Sequence, residues 1–504
     1  MANSLNINRA HIVLVLCLPA AILIGYLLAD PMQFSNMGLI ALFFGVLSLP
    51  LLMKWYHFLL IFSCNAVFQF QFLPGSPPLW LIIAMAGLSI AILNRCVDSN
   101  RRLMVGGSIP RSLLLLGVVV FITAYMRGGA GLAALGGSSY GGRRYIYIVG
   151  AIAMYFAMVS QPISAKKRKF YAILFFVTSA TSFLTMLVDY WGGRFGFLNA
   201  IVSSNFSGDE PVEASSLRFV SLGGICNAGL FLLLLQYGAR GILSRYWRGA
   251  LTALFFLGIL LTGFRSGFGY MGMIFALSFF LEGLHRTKYM MVAGVIGLLF
   301  LTSAFVFSDR LPWQMQRAIS FLPVRVSPLV KEDAQSSVDW RVKMWEVVIH
   351  QVPQYLWEGK GFALDPGDMY MSQVNSFTRL AADSSEWAAY AGDYHSGPLS
   401  LIIQLGIWGV LAFAWFLIVT GKMLYYNFMH GDPDLKNINT VFLGYFIAKV
   451  FFFVFLVGGF YSDLVAFTAI AGLSVSINGE VIRHPTREIS PVFTLATQRI
   501  AKDL

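Results

Sequence analysis

Charged residues are scarce in this chain: aspartate, glutamate, lysine and arginine make up 12% of its 504 residues, against about a quarter in typical soluble domains. Apolar residues make up 57%, and the mean hydropathy is +0.69. These values exclude a soluble globular protein and predict a polytopic membrane protein. The net charge of +12 lies largely in short basic clusters between apolar runs, which indicates connections facing anionic lipid and argues against nucleic acid as a partner.

Several chemical signatures are also absent. The segment 309–398 contains no cysteine, so no disulfide framework is expected there. The sequence has no His-Glu-x-x-His, and Asp383, Glu386 and Asp393 show no recognised ligand spacing, so no metal site is predicted. The glycine-rich stretch 128–144 lacks the Gly-Lys-Ser/Thr ending of a phosphate-binding loop, and no nucleotide or other cofactor is expected.

Apolar runs long enough to cross a bilayer, at about 17–25 residues each, fill most of the chain. We predict an all-α polytopic membrane protein with about fourteen transmembrane helices and a long, partly helical external loop between helices 11 and 12. The first run is kept as a helix, not a cleaved signal peptide, because the topology alternates correctly only if it stays. The runs are 11–29, 37–53, 56–73, 78–94, 112–127, 145–160, 170–187, 219–237, 249–264, 267–284, 289–308, 399–424, 438–459 and 461–477.

Basic residues fall in alternate connections, such as 166–169 and 240–248, and by the positive-inside rule these connections face the cytoplasm. Both termini are then cytoplasmic, and the long segment is external. The predicted parts are an N-terminal transmembrane bundle (1–308), the external segment (309–398), C-terminal transmembrane helices (399–477) and a cytoplasmic tail (478–504).

The external segment and its neighbouring turns hold side chains that a membrane scaffold does not need. His395 lies where the segment enters the next apolar span. An imidazole there can act as a base near neutral pH, whereas the alternative is a purely structural role as a helix cap or an interfacial side chain. Arg265 lies in a tight turn between two apolar helices. A charge so close to hydrocarbon usually has a partner or a ligand, and the alternative is a snorkelling anchor.

A surface helix is predicted over 338–352, because valines and Trp345 recur at helical spacing before Pro353. Arg341 and Trp345 are four residues apart, so the guanidinium can stack on the indole. A weaker helical pattern covers 373–390.

For the remaining candidates, the sequence permits both a functional and a structural role. Arg218 opens an apolar span from outside and shares the chemistry of Arg265, or is an interface anchor. Lys449 falls near the middle of a span, where it lines a polar cavity or pairs with a structural partner. Further candidate substrate contacts are Lys360, Asp393, Arg143 and Arg144, the two arginines being ordinary loop charges otherwise.

These residues together resemble the bacterial O-antigen ligase and polymerase superfamily. A Thr-Gly-x-Arg turn covers 262–267, Arg341 and Trp345 precede the Gly-x-Gly at 359–361, and His395 opens a helix containing Leu-Gly-Ile-x-Gly. Two positions depart from the family pattern: Phe264 stands where serine is common, and Ser396 where asparagine is common.

The resemblance implies a metal-independent, GT-C-like glycosyltransferase of the bacterial inner membrane with a periplasmic active site. Such proteins transfer a glycan from undecaprenyl pyrophosphate to an acceptor hydroxyl on a lipid-linked chain or on lipid A core. By the resemblance, Arg265 and Arg341, with Arg218, bind the pyrophosphate, His395 is the base, and Trp345 contacts the substrate. Membrane lipids are the other expected partners.

The sequence leaves two alternatives open. A lipid-linked glycan flippase would also have many helices, although transporters usually bind substrate near the bilayer midplane; a structural anchor would have no use for Arg265 and His395. Within the transferases, the large external segment slightly favours a polymerase of exopolysaccharide or O-antigen over a ligase.

Overall fold

The computed structural model describes residues 25, 48, 50–73, 75–98, 105, 107–129, 141–202, 219–363, 392 and 394–479. The chain divides into two units, residues 1–59 and 60–504, and the architecture below is that of the second, apart from the start of the first helix. Most of its described residues are helical, and two isolated β-bridges join Phe68 to Val202 and Gln69 to Pro78. The predicted all-α fold class is confirmed.

Sixteen α-helices have both ends within the described residues, and we number them in chain order. They are α1 Tyr56–Asn65, α2 Leu79–Val97, α3 Ile109–Arg127, α4 Gly142–Val159, α5 Arg168–Val177, α6 Ser182–Phe195, α7 Val220–Leu243, α8 Tyr246–Leu261, α9 Arg265–Leu281, α10 Tyr289–Phe307, α11 Trp313–Ile319, α12 Pro328–Ile349, α13 Val352–Tyr355, α14 Gly397–His430, α15 Lys436–Phe455 and α16 Phe460–Asn478. Short 3₁₀ turns lie at Ala165–Lys167, Thr178–Thr181, Gly196–Ala200, Leu284–Arg286, Ser308–Arg310 and Pro433–Leu435.

Eight of the described helical stretches are long and apolar enough to cross a membrane, and each matches a predicted span. The predicted count of fourteen is not confirmed. Four further runs form helices of 10 to 18 residues that do not qualify, namely α1, α4, α8 and α9. Most of the runs 11–29 and 37–53 lies outside the described residues.

The helices differ strongly in how much of their surface other helices cover. Only 6% of the apolar window of α10 is buried within the protein, against 67% for α15 and 72% for α16. An uncovered helix that is apolar on all sides is stable only in lipid, so α10 is a membrane-facing helix. The buried α16 packs against α4, α14 and α15.

Contacts between connections fall into two groups that agree with the predicted alternation. Among connections predicted to be cytoplasmic, Arg168 lies 3.9 Å from the Asp432 carboxylate, and the Glu282 carboxylate accepts the backbone N–H of Ala239 at 2.7 Å. Among those predicted to be external, Arg127 pairs with Glu358 at 2.7 Å. Which group faces which compartment stays a prediction.

The described part of the predicted external segment consists of α11, α12 and α13. The predicted helix over 338–352 is observed, but α12 begins ten residues earlier, at Pro328, a residue suited to the first turn of a helix. Pro353 follows in the separate short helix α13. The candidate helix over 373–390 lies outside the described residues.

Candidate active site

The first component of the site is the turn between α8 and α9. Gly263 takes φ +72°, and the Thr262 hydroxyl accepts the backbone N–H of Phe264 at 3.3 Å, which closes the turn tightly. Arg265 is therefore the first residue of α9. Its guanidinium donates to the Ala334 carbonyl of α12 at 2.9 Å, so it reaches out of the membrane helices toward the external segment.

Arg317 on α11 joins this turn to α12, and it is only 5% exposed. Its guanidinium donates to the Gly263 carbonyl at 2.9 Å, to the Ser337 hydroxyl at 3.0 Å and to the Asp333 carboxylate. All three groups occupy fixed positions, so Arg317 sets the distance between the turn that carries Arg265 and the helix that carries Arg341.

The three arginines line one cavity of about 430 Å³, the arginine cavity. Burial, and then the charge of Arg317, lower the pKa of Arg341; a guanidinium nevertheless stays protonated in proteins. The paired carboxylate of Asp333 compensates Arg317, which leaves positive charge from Arg265 and Arg341. The remaining lining residues are Phe264, Ser266, Gly269, Phe321, Ser337, Val338, Phe452, Leu456 and Val457. A site of this kind binds an anion, and planar guanidinium groups suit phosphate oxygens.

His395 is held on a short loop just before α14. Its backbone takes φ +45°, a left-handed conformation that is uncommon for residues with a side chain and tends to occur at functional sites. The Trp345 indole donates to the Tyr394 carbonyl at 2.8 Å, and the Trp340 ring lies edge-on to the imidazole at 5.4 Å between centroids. Helix α12 therefore fixes the imidazole through two tryptophans.

The imidazole lines a second cavity of about 390 Å³, the histidine cavity. It shares Ser266, Phe452 and Val457 with the arginine cavity, so the two adjoin. The other lining residues are Gly267, Tyr270, Lys449, Gly458, Gly459, Ser462 and Asp463. The structure thus places Arg265, Arg341 and His395, the three predicted catalytic residues, around two adjoining cavities.

Lys449 both lines a polar cavity and has a structural partner, the two roles that the sequence left open. Its ammonium donates to the Asp463 carboxylate at 2.6 Å, so it has a structural partner, and both side chains line the histidine cavity. The second carboxylate oxygen accepts the backbone N–H of Gly459 at 3.0 Å.

The Gly-x-Gly and Leu-Gly-Ile motifs meet each other. Helix α14 is interrupted at Gly406, which takes φ +65°, and the strip 359–361 hydrogen-bonds to the opened helix. Lys360 N–H donates to the Ile403 carbonyl at 2.7 Å, and Ile407 N–H donates to the Leu356 carbonyl at 2.7 Å. A Cβ atom on Gly359 would lie 2.5 Å from the Gln404 carbonyl oxygen, so only glycine fits. These motifs brace the helix that follows His395.

The remaining predicted residues lie beside the two cavities or outside the described residues. The exposed Arg143 donates to the Tyr147 hydroxyl at 2.8 Å. The Arg144 guanidinium lies 5.2 Å from the Tyr461 ring centre. Burial raises the pKa of Tyr394 to about 12, an effect that the Arg144 charge opposes, so Arg144 is near the His395 loop. Arg218 and Asp393 fall outside the described residues. Among the described cation–ring contacts, none joins Arg341 to Trp345.

Sequence reasoning did not identify Arg317 or Asp463 as site residues. Neither belongs to a recognisable motif. The sequence indicates Arg317 only as an arginine in the helix that begins after Pro312, and Asp463 only as an aspartate at the start of the span that follows Lys449. Within the described residues, no three histidine, cysteine, aspartate or glutamate side chains are grouped as metal ligands would be.

Comparison with known families assigns the region that holds these residues. A family model described as O-antigen ligase matches residues 250–414, and no curated protein matches the chain. The matched region includes the turn of Arg265, the arginine of α12, the Gly-x-Gly strip and His395. The match over residues 250–414 confirms that this region resembles the O-antigen ligase and polymerase superfamily, as the motifs indicated.

Proposed function

We propose that the protein transfers a glycan from undecaprenyl pyrophosphate to an acceptor hydroxyl at the external face of a bacterial inner membrane. The observation that carries this proposal is the adjoining pair of cavities, one lined by three arginines and the other by a histidine. A glycan donor of this kind has a diphosphate at the membrane surface, a sugar above it and an apolar tail below.

The arginine cavity suits the diphosphate. Arg265 and Arg341 have charge that Asp333 does not neutralise, and two guanidinium groups offer parallel N–H pairs to the phosphate oxygens. When the bond between the anomeric carbon and the diphosphate breaks, negative charge grows on the departing oxygen. Fixed cations stabilise that charge more in the transition state than in the bound donor, and this difference accelerates the reaction.

Apolar side chains at the end of α15 suit the polyprenyl tail. Phe452 and Leu456 line the arginine cavity, and Phe451, Phe455 and Leu456 are 40%, 67% and 44% exposed. This apolar surface continues from the cavity to the outside of the helix bundle, so a lipid chain can remain in the membrane while its headgroup contacts the arginines.

His395 supplies the base. Its imidazole accepts the proton of the acceptor hydroxyl as the oxygen bonds to the anomeric carbon, and the diphosphate leaves with the bonding electron pair. The left-handed backbone of His395 and its contact with Trp340 hold the ring toward the cavity. By this mechanism the protein needs no metal ion.

The length of the external segment, residues 309–398, slightly favours a polymerase, because a polymerase must bind two glycan chains. The test supplies purified protein with a lipid-linked repeat unit alone, and then with lipid A core added. A ladder of longer lipid-linked chains from the first mixture indicates a polymerase, and product only on lipid A core indicates a ligase. Transport of lipid-linked glycan across proteoliposomes with no product in either mixture would replace the transferase by a flippase.

A further inference from the structure

The Lys449–Asp463 pair is an ionic contact with no role in the mechanism above. Its side chains are only 23% and 17% exposed, and a buried ion pair is often no more stabilising than a pair of apolar residues of similar volume. Packing of α15 against α16 therefore gives no sufficient reason for charges at this depth. An ammonium has three donors, and the described contacts of Lys449 occupy one of them. A carboxylate has about four acceptor positions, and the described contacts of Asp463 occupy two.

The two cavities differ in charge in a way that separates their ligands. The arginine cavity carries an excess of positive charge, whereas Lys449 and Asp463 neutralise each other in the histidine cavity. Electrostatic attraction therefore stabilises an anion in the arginine cavity much more than in the histidine cavity. Neutral hydroxyl groups gain from an acceptor and a donor side by side, which is what the pair provides. Gly458 and Gly459, which lack side chains, let a sugar ring approach the backbone.

We propose that the histidine cavity is the acceptor subsite, and that Asp463 and Lys449 bind neighbouring hydroxyls of the acceptor sugar. The hydroxyl bound by this pair, or the one beside it, then faces the His395 imidazole, which takes its proton. This inference rests on the proposed glycan transfer and adds which cavity holds the acceptor. Asp463 and Lys449 position the acceptor, while His395 remains the base.

Two variants separate this role from a structural one. Asp463→Asn keeps the shape of the side chain, and the double variant Lys449→Met with Asp463→Leu replaces the ion pair by apolar contact. Both should raise the acceptor KM by about tenfold or more, because a site built to hydrogen-bond hydroxyls loses that selectivity when its polar groups are removed. Binding of the glycan donor should not change. A double variant with wild-type melting and a wild-type acceptor KM would overturn the proposal.

A labelling experiment tests the same point without disturbing the pair. Ser462 is exposed in the histidine cavity, and Val338 is 42% exposed in the arginine cavity. The probes are inorganic pyrophosphate, free oligosaccharide released from the donor, and lipid A core oligosaccharide. Maleimide labelling of Ser462→Cys should be slowed by an oligosaccharide and not by pyrophosphate, and Val338→Cys should show the reverse.

Protection of Ser462→Cys by pyrophosphate, or by neither oligosaccharide, contradicts the acceptor subsite. These results are distinct from a failure of the proposed function, in which wild-type protein makes no product from donor and acceptor at all.

Discussion

At the residue scale, Arg265 and Arg341 differ from the third arginine of the cavity in what they contact. Arg317 donates to a carboxylate, a hydroxyl and a carbonyl, so its guanidinium is occupied by the protein. Arg265 donates to one carbonyl, and Arg341 is crowded by the Arg317 charge. We therefore propose that Arg265 and Arg341 bind the diphosphate, whereas Arg317 links the turn of Arg265 to α12.

We expect Arg265→Lys and Arg341→Lys each to lower turnover about tenfold or more, because lysine keeps the charge but loses the planar fork. Turnover of purified protein is the measurement, and unchanged membrane insertion shows that folding is intact. Arg325→Lys, an exposed position in the same external segment, is the control and should retain activity. Full activity in both test variants would identify Arg265 and Arg341 as interface anchors.

Arg317→Lys should lower the stability to thermal unfolding by about 1–3 kcal/mol, the usual cost of leaving a buried hydrogen-bonding group without its partner. A lysine can keep the contact with Asp333, but it cannot reach the Gly263 carbonyl and the Ser337 hydroxyl together. Turnover should fall with it, because the turn of Arg265 loses its link to α12. Unchanged melting in detergent would show that the Arg317 contacts do not hold the site.

At the element scale, the interrupted helix α14 connects the site to the membrane bundle. The predicted Leu-Gly-Ile and Gly-x-Gly motifs could be recognised in the sequence, but their contact could not. Helical periodicity indicates which face of a helix is apolar. It does not indicate which residues, distant in sequence, hydrogen-bond to the helix where it is interrupted. Similarly, Arg317 and Gly263 are 54 residues apart, and no local pattern predicts that contact.

Gly406→Ala should destabilise the protein by about 1–3 kcal/mol, since the residue takes a left-handed conformation that alanine adopts at a cost. The added Cβ would also lie 2.9 Å from the carbonyl oxygens of Leu356 and Trp357. Gly294→Ala in α10 is the matched control, because nothing lies within 4 Å of its added Cβ; it should be neutral or slightly stabilising. Equal melting temperatures for the two variants would contradict the argument.

At the scale of the whole molecule, composition and periodicity were enough for the fold class and for eight spans. The predicted spans at α8 and α9 are not confirmed, because these helices have only 16 and 17 residues; α8 ends, and α9 begins, at the turn of Arg265. The order of the motifs was enough to group Arg265, Arg341 and His395. It could not identify Asp463, because the partner of a buried lysine depends on how α15 and α16 pack.

The predicted orientation has a direct test. A reporter inserted within 161–169 should indicate the cytoplasm, and one near residue 360 the external side, because basic connections are retained inside. Reporter activity in each compartment is the measurement. An external signal from the basic cluster would invert the topology and place both cavities on the wrong side for a periplasmic glycan donor.

The central claim is that His395 takes the proton of the acceptor hydroxyl while the arginines hold the glycan donor. His395→Ala should abolish product formation yet leave donor binding nearly unchanged. His350→Ala is the matched control, an exposed histidine at the end of α12 in the same segment. Wild-type turnover should fall in acid, because only a neutral imidazole can accept the proton of the acceptor hydroxyl.

The most direct measurement is therefore product formation from the lipid-linked donor by purified wild type, His395→Ala and His350→Ala, with donor binding measured in parallel. We expect no product and intact donor binding for His395→Ala alone. Wild-type turnover in His395→Ala would contradict it.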